Sequence, residues 1–190
     1  MPPRIMVISG SKRSGSQNMK LAALASSYFS RLGADVSLIN LSDFPMPIYD
    51  GDLEMEKGVP EHALKLRAFM LQQQGVFITS PEYNASISPL LKNTLDWMSR
   101  EKSDGRSPFQ NRVFALGAAS PGGLGGIRGL MHLRNLMEVG LGATVIPEMI
   151  ALGNAGSAYD EDGNLQDDAL KTRLQALAKR LVREAGFIEL

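Results

Sequence analysis

Five short runs rich in β-branched and apolar residues alternate along this chain with longer segments of helical periodicity, and that alternation restricts the possible folds more than any other feature. The first run is Arg4 to Ser9 (RIMVIS), followed by a loop of glycine and serine and then a helical stripe from Asn18 to Leu32 that repeats at Leu21, Ala25, Tyr28 and Leu32. Val36 to Leu41, Gly75 to Ser80, Arg112 to Ala118 and Thr144 to Ile150 have the same strand character. Helical spacing is expected over Pro60 to Gln74, with its stripe at Leu64, Leu66, Phe69 and Leu71, from Pro89 to Arg100, over Ile127 to Val139 and over Gln166 to Ala185. Between Asp43 and Val59 the prolines of Phe44 to Tyr49 predict a long irregular loop. Five strands alternating with five helices imply an α/β fold in which a parallel sheet is covered on both faces, as one domain over residues 1–190. The order 2-1-3-4-5 is the commonest for five such strands, and ligands are expected beyond their carboxyl ends.

Composition removes several chemistries. With no cysteine there can be no disulfide, thiolate nucleophile, zinc–thiolate site or iron–sulfur cluster. Lysine plus arginine equals aspartate plus glutamate, 20 against 20, so no global charge draws the chain to nucleic acid or an anionic membrane. No apolar run approaches the roughly 20 residues of a membrane-spanning helix, and the run Ile5 to Ile8 is too short for a secretion signal; a cytoplasmic location is expected.

Three segments that follow predicted strands carry the chemical information. Gly10 to Asn18 (GSKRSGSQN) leads from the first strand into the first helix, where unpaired backbone N–H groups and the helix dipole attract an anion. Ser11, Ser16 and Asn18 add neutral donors, and Arg13 adds a guanidinium suited to phosphate. The loop matches neither G-x-G-x-x-G nor G-x-x-x-x-G-K-[ST], so a monophosphate fits better than a dinucleotide or a nucleoside triphosphate; an ordinary serine-capped turn is the plainer alternative. Ser80 to Pro89 (SPEYNASISP) sets a tyrosine among short polar residues on a proline-stiffened loop, as a planar heterocycle requires or as a surface turn would also show. Ala119 to Gly126 (ASPGGLGG) allows close backbone approach, or describes a mobile linker.

Together these segments resemble the NADPH-dependent FMN reductase family of the flavodoxin-like superfamily, which includes quinone-, azo- and chromate-reducing flavoenzymes. The resemblance rests on G-S-x-R-x-x-S-x-N at Gly10 to Asn18, P-E-Y-N at Pro81 to Asn84, the continuation SPLLKNTLDWMSR from Ser88 to Arg100, and the Gly-Gly pair after the fourth strand. It implies a three-layer flavodoxin-like fold. It also implies that Ser11, Arg13, Ser16 and Asn18 hold the FMN phosphate, that Pro81, Glu82, Tyr83 and Asn84 flank the isoalloxazine largely through backbone groups, and that Ser120, Gly122 and Gly123 close the other side. The activity implied is hydride transfer from NADPH or NADH to the flavin and then to a quinone, free flavin, azo compound or metal oxyanion, with no side chain needed as acid or base. A homodimer or dimer of dimers through the helix from Pro89 to Arg100 is implied as well, with Lys92, Asp96, Trp97 and Arg100 at the matching positions. Trp97 reads as packing before flavin contact, and Arg100 as a ligand of the acceptor or of the nicotinamide phosphate, or as a solvated helix end.

The rival within this fold is a flavodoxin-type electron carrier, which binds FMN without oxidising a nicotinamide; its acidic docking face has no counterpart in the balanced charge here. A non-catalytic relative that has lost the flavin conflicts with the intact loops, and a magnesium-binding receiver domain needs acidic residues where Ser9, Gly10 and Ser11 stand. Asp160 to Asn164 lacks the alternating ligands of a calcium loop and reads as an exposed turn capping the last helix. His62 and His132 have no second metal ligand at helical spacing, so no metal site is expected.

Overall fold

The computed structural model describes residues 1–190. Its sheet runs β2-β1-β3-β4-β5, all parallel, from β1 (Arg4–Ser9), β2 (Asp35–Asn40), β3 (Gly75–Thr79), β4 (Val113–Ala119) and β5 (Thr144–Leu152). The fold class and strand order are those expected, and the carboxyl ends of β1, β3 and β4 lie side by side. Residues alternate between the faces: Ile5 and Val7 of β1 join one apolar core, Met6 and Ile8 the other. Helices α1 (Gln17–Arg31) and α6 (Asp168–Ala185) cover the first core; α3 (Glu61–Met70), α4 (Pro89–Met98) and α5 (Ile127–Asn135) cover the second. β3 and β4 are buried along their whole length, as continuous apolar runs in a doubly covered sheet require.

Two helical faces differ from the sequence reading. On α1 the buried stripe is Leu21, Ala25 and Phe29, flanked by buried Ala22, while Tyr28 is half-buried and Leu32 exposed. On α3 it is Ala63, Leu66 and Met70, with Leu64 outward. In each case a residue four along from a core position, Phe29 from Ala25 and Met70 from Leu66, supplies the larger apolar side chain and sets the rotation.

The stretch from Asp43 to Val59 is not irregular throughout. It contains a sixth helix, α2 (Gly51–Lys57), which buries no side chain and so has no apolar stripe to betray it. Its ends explain it: the Asp50 carboxylate accepts from the N–H groups of Asp52 and Leu53, acidic Asp52 and Glu54 fill the first turn, and Gly58 at φ 73° closes the C-terminus. After α5 the chain widens into a π-turn over Leu136–Gly140, so the regular helix stops at Asn135 instead of Val139. The last helix is capped by Asp167, whose carboxylate accepts from Leu170 N–H; Asp160 to Asn164 instead closes on itself, Asp160 Oδ1 accepting from Asn164 N–H at 2.8 Å.

Candidate functional site

At the carboxyl edge of the sheet the loops after β1, β3 and β4 enclose a cleft of about 370 Å³. It brings together Ser11, Arg13, Ser16 and Asn18 with Pro81, Glu82, Tyr83 and Ser120; Asn84, Gly122 and Gly123 stand outside its wall. Gly15, Gln17, Ala119 and Pro121 complete the lining. A larger hollow of about 550 Å³ lies between the α4–β4 and π-turn–β5 connections, at the opposite end of the strands, where this topology assembles none of the three loops.

The first loop is built to leave donors free. Ser16 caps α1, its Oγ accepting from Met19 N–H at 3.2 Å. The backbone N–H groups of Ser11, Lys12, Arg13, Ser14, Gly15, Gln17 and Asn18 have no acceptor within the chain. Such a crown at a helix N-terminus, with Lys12 and Arg13 exposed beside it and free of carboxylate partners, is complementary to a phosphate dianion. Asn18 has a different position from that of a free side-chain donor. Its amide is buried and bridges one residue of β4: Nδ2 donates to Ala119 O and Oδ1 accepts from Ala119 N–H, both at 2.9 Å. Thr79 Oγ1 donates to the Asn18 carbonyl at 3.0 Å. Asn18 therefore ties the first loop to the root of the third.

The second loop turns back on itself. Tyr83 and Ser86 exchange both backbone hydrogen bonds, 2.9 and 3.0 Å, around Asn84 and Ala85 at φ 50° and 62°. Two consecutive left-handed residues make the tight reversal typical of two-residue hairpins, and Ala85 holds it without the glycine that usually follows asparagine there. The reversal leaves Tyr83 half exposed at the cleft and the N–H groups of Glu82 and Asn84 unpaired. The Glu82 carboxylate is engaged with α5: Oε2 accepts from Gly129 N–H at 2.9 Å and Oε1 from Arg128 Nε at 2.8 Å. The Gly129 bond, followed by the Arg128 guanidinium, holds this carboxyl below the usual glutamate range, so it is ionised at neutral pH and is no candidate proton donor. Glycine at 129 lets the second loop approach α5 closely, since a Cβ there would stand 3.2 Å from Ser86 O and 3.3 Å from Glu82 Cβ and would press the two apart by a few tenths of an ångström. In the third loop Ser120 Oγ accepts from Gly122 N–H at 3.2 Å, and Gly122 O accepts from Gly125 and Asn154.

The match to known proteins decides the family. Residues 3–157 fit the model of the NADPH-dependent FMN reductases. The chain belongs to that family. This reductase is 34% identical over 192 residues to a protein of Oryza sativa named probable NADPH:quinone oxidoreductase 2, covering 94% of the chain and 90% of the relative. It is 32% identical to an NAD(P)H-dependent FMN reductase of Pseudomonas aeruginosa, over 90% of the chain and 89% of the relative. Among solved structures, the flavoenzyme NAD(P)H:(acceptor) oxidoreductase FerB of Paracoccus denitrificans superposes with a TM-score of 0.80 at 25% identity, covering 99% of this chain and all of that one. The chain is thus an FMN- and NAD(P)H-using oxidoreductase of flavodoxin-like fold, and the electron-carrier alternative falls away.

The cleft fits FMN on its own chemistry. Unpaired N–H groups and the Arg13 charge suit the phosphate. Gln17 Oε1, buried at the cleft wall without a donor, suits a hydroxyl of the ribityl chain. Gln17 was missed in the sequence although it stands inside the motif, because glutamine at a first helical turn is ordinarily solvated. Thr79 and Ala119 were missed because their contribution is a tertiary contact with no local pattern. Trp97 is fully buried, its indole N–H donating to Pro47 O at 2.8 Å, and Arg100 is paired with Glu54 at 2.9 Å; neither lines the cleft.

Proposed function

We propose that this reductase works as one FMN-binding domain that oxidises NADPH or NADH and delivers the electrons to a quinone. The observation that carries the reading is the convergence of the three motif loops on one cleft whose anion-seeking N–H groups have no other partner. Ser11, Arg13, Ser16 and the α1 N-terminus would bind the phosphate, with Asn18 holding that loop against β4. Pro81, Glu82 and Tyr83 would flank the ring through backbone groups, with Asn84 behind them forming the reversal, and Ser120 would close the far side, with Gly122 and Gly123 behind it outside the wall. When bound, FMN supplies the hydride acceptance and donation. The protein's own share is orientation and exclusion of water, and Glu82, ionised and tied to α5, is not poised as an acid.

A quinone is favoured among acceptors because curated relatives at 31–34% identity bear quinone reductase names. We further propose a cytoplasmic homodimer, or dimer of dimers, through the outer face of α4. The helix shows solvent the ion pair Lys92–Asp96, and beside it Ile48, on a strap that Asn93 and Trp97 hold to α4, and Met55, on α2, which Glu54 ties to Arg100, are 84% and 81% exposed. No helix is long and apolar enough to cross a membrane.

Purified protein should be yellow, and NADPH should bleach the flavin under anaerobic conditions. A colourless preparation that neither takes up FMN nor oxidises NADPH would overturn the assignment. A panel of benzoquinone, free FMN, an azo dye and chromate, run with both nicotinamides, tests the acceptor: kcat/KM should be highest for the quinone, and a higher value for any other member of the panel would replace it. Light scattering tests the dimer, and a monomeric holoprotein would remove it.

A further inference from the structure

We propose that Ser88, a buried hydroxyl outside the cleft, is a positioning residue that aims a backbone donor at the FMN phosphate. The inference rests on the proposed placement of that phosphate at the first loop.

Ser88 is 2% exposed and belongs to a different loop from the phosphate crown. Its Oγ donates to Gly10 O at 2.6 Å and accepts from Leu91 N–H at 3.2 Å, capping α4; its own N–H donates to Ser80 Oγ at 3.3 Å. Gly10 is held from its other end too, where its N–H donates to Thr79 O at 2.7 Å. A Cβ on Gly10 would stand 3.0 Å from Leu91 Cβ and 3.2 Å from Ser88 Oγ, so the absence of a side chain lets α4 approach closely enough for this bond.

The consequence follows from peptide geometry. In the planar trans peptide between Gly10 and Ser11 the C=O and the next N–H point in opposite directions. Fixing the Gly10 carbonyl toward α4 therefore fixes the Ser11 N–H away from it. That N–H has no acceptor in the chain, and Ser11 lines the cleft. Without the Ser88 hydroxyl the peptide can rotate and turn a carbonyl oxygen toward the anion, replacing attraction by repulsion. The flavin ring and ribityl chain feel none of this, so the loss should be selective for the phosphate.

Selectivity makes the test. Dissociation constants for FMN and riboflavin are measured by fluorescence quenching on flavin-free full-length protein, for wild type, Ser88→Ala, Ser88→Gly and Ser88→Thr. Glycine is included because it is well tolerated at a helix N-cap, whereas alanine also weakens α4. Removal of the hydroxyl should weaken FMN roughly 10-fold, the order expected for one charge-assisted hydrogen bond, with riboflavin changed less than about 2-fold. Ser88→Thr should restore the wild-type ratio. Parallel weakening of both flavins in Ala and Gly variants, an unchanged ratio, or a Thr variant that behaves like Ala would overturn the inference. Wild-type protein with no preference for FMN over riboflavin would instead overturn the phosphate placement beneath it.

Discussion

Asn18→Ala separates the direct phosphate ligand expected from the sequence from the internal tether seen in the structure. The substitution strips Ala119 of both partners, a donor and an acceptor each at 2.9 Å, on a residue 3% exposed. An unsatisfied buried group costs about 1–3 kcal/mol, and water entering from the adjacent cleft should keep both near the low end. Flavin-free protein should therefore lose about 2–4 kcal/mol. For a chain of this length that is a fall of roughly 4–16 °C in melting temperature, read by circular dichroism or calorimetry. The measurement must be made without FMN, because bound ligand adds its own stabilisation and would mix a binding defect with a folding one. Asn18→Asp should be similarly destabilised, since aspartate keeps the acceptor for Ala119 N–H but sets a carboxylate against Ala119 O. A flavin-free Asn18→Ala melting within about 1 °C of wild type would refute the tether; weakened FMN binding in that same protein would return Asn18 to the phosphate.

Arg13→Ala should raise the FMN dissociation constant about 10- to 100-fold through loss of one charge-assisted contact, leave riboflavin unaffected, and reduce the salt dependence of FMN binding; unchanged affinity would place the phosphate elsewhere. Glu82→Gln should lower stability at neutral pH by roughly 1 kcal/mol, because an amide cannot accept from both Gly129 N–H and Arg128 as the carboxylate does. Since the folded carboxyl lies below its unfolded value, its contribution is full above the unfolded glutamate pKa of about 4.3 and fades as pH falls through the folded one. Melting curves of the two proteins should thus converge in acid, and a constant gap down to the lowest pH reached would contradict the linkage. Ala85→Gly should stabilise the flavin-free protein by roughly 0.5–1 kcal/mol, since glycine adopts φ 62° without the Cβ penalty; a lower melting temperature would show the reversal unstrained.

Sheet order was legible because the strands are continuous apolar runs between turn residues, and each of the five appeared within two residues of its expected bounds. The three loops were legible for the same reason, lying where those strands end. α2 was not, because it is held by its Asp50 cap and Gly58 instead of an apolar stripe, and helix periodicity sees only stripes. Arg100 was illegible for a related reason: its partner Glu54 lies on that same undetected helix. Asn18 was found, but its neighbour was not, since Ala119 is 101 residues away and offers only backbone.

The cleft owes its geometry to a chain of contacts that crosses the sheet from loop to loop. Ser88 holds the Gly10 carbonyl, Gly10 N–H reaches Thr79 O, Thr79 Oγ1 reaches the Asn18 carbonyl, and the Asn18 amide clasps Ala119. Each link joins residues distant in sequence, and together they lock the phosphate crown to the loops after β3 and β4. Hydrogen bonds of this kind contribute modestly one at a time, yet they place free N–H groups before any ligand arrives, so binding need not order the loop. Links in one network do not act independently. Asn18→Ala and Ser88→Gly together should therefore weaken FMN by a factor different from the product of the single effects, with interaction energy of about 0.5 kcal/mol or more. Strict additivity would mean that the two ends of the chain hold the loop separately.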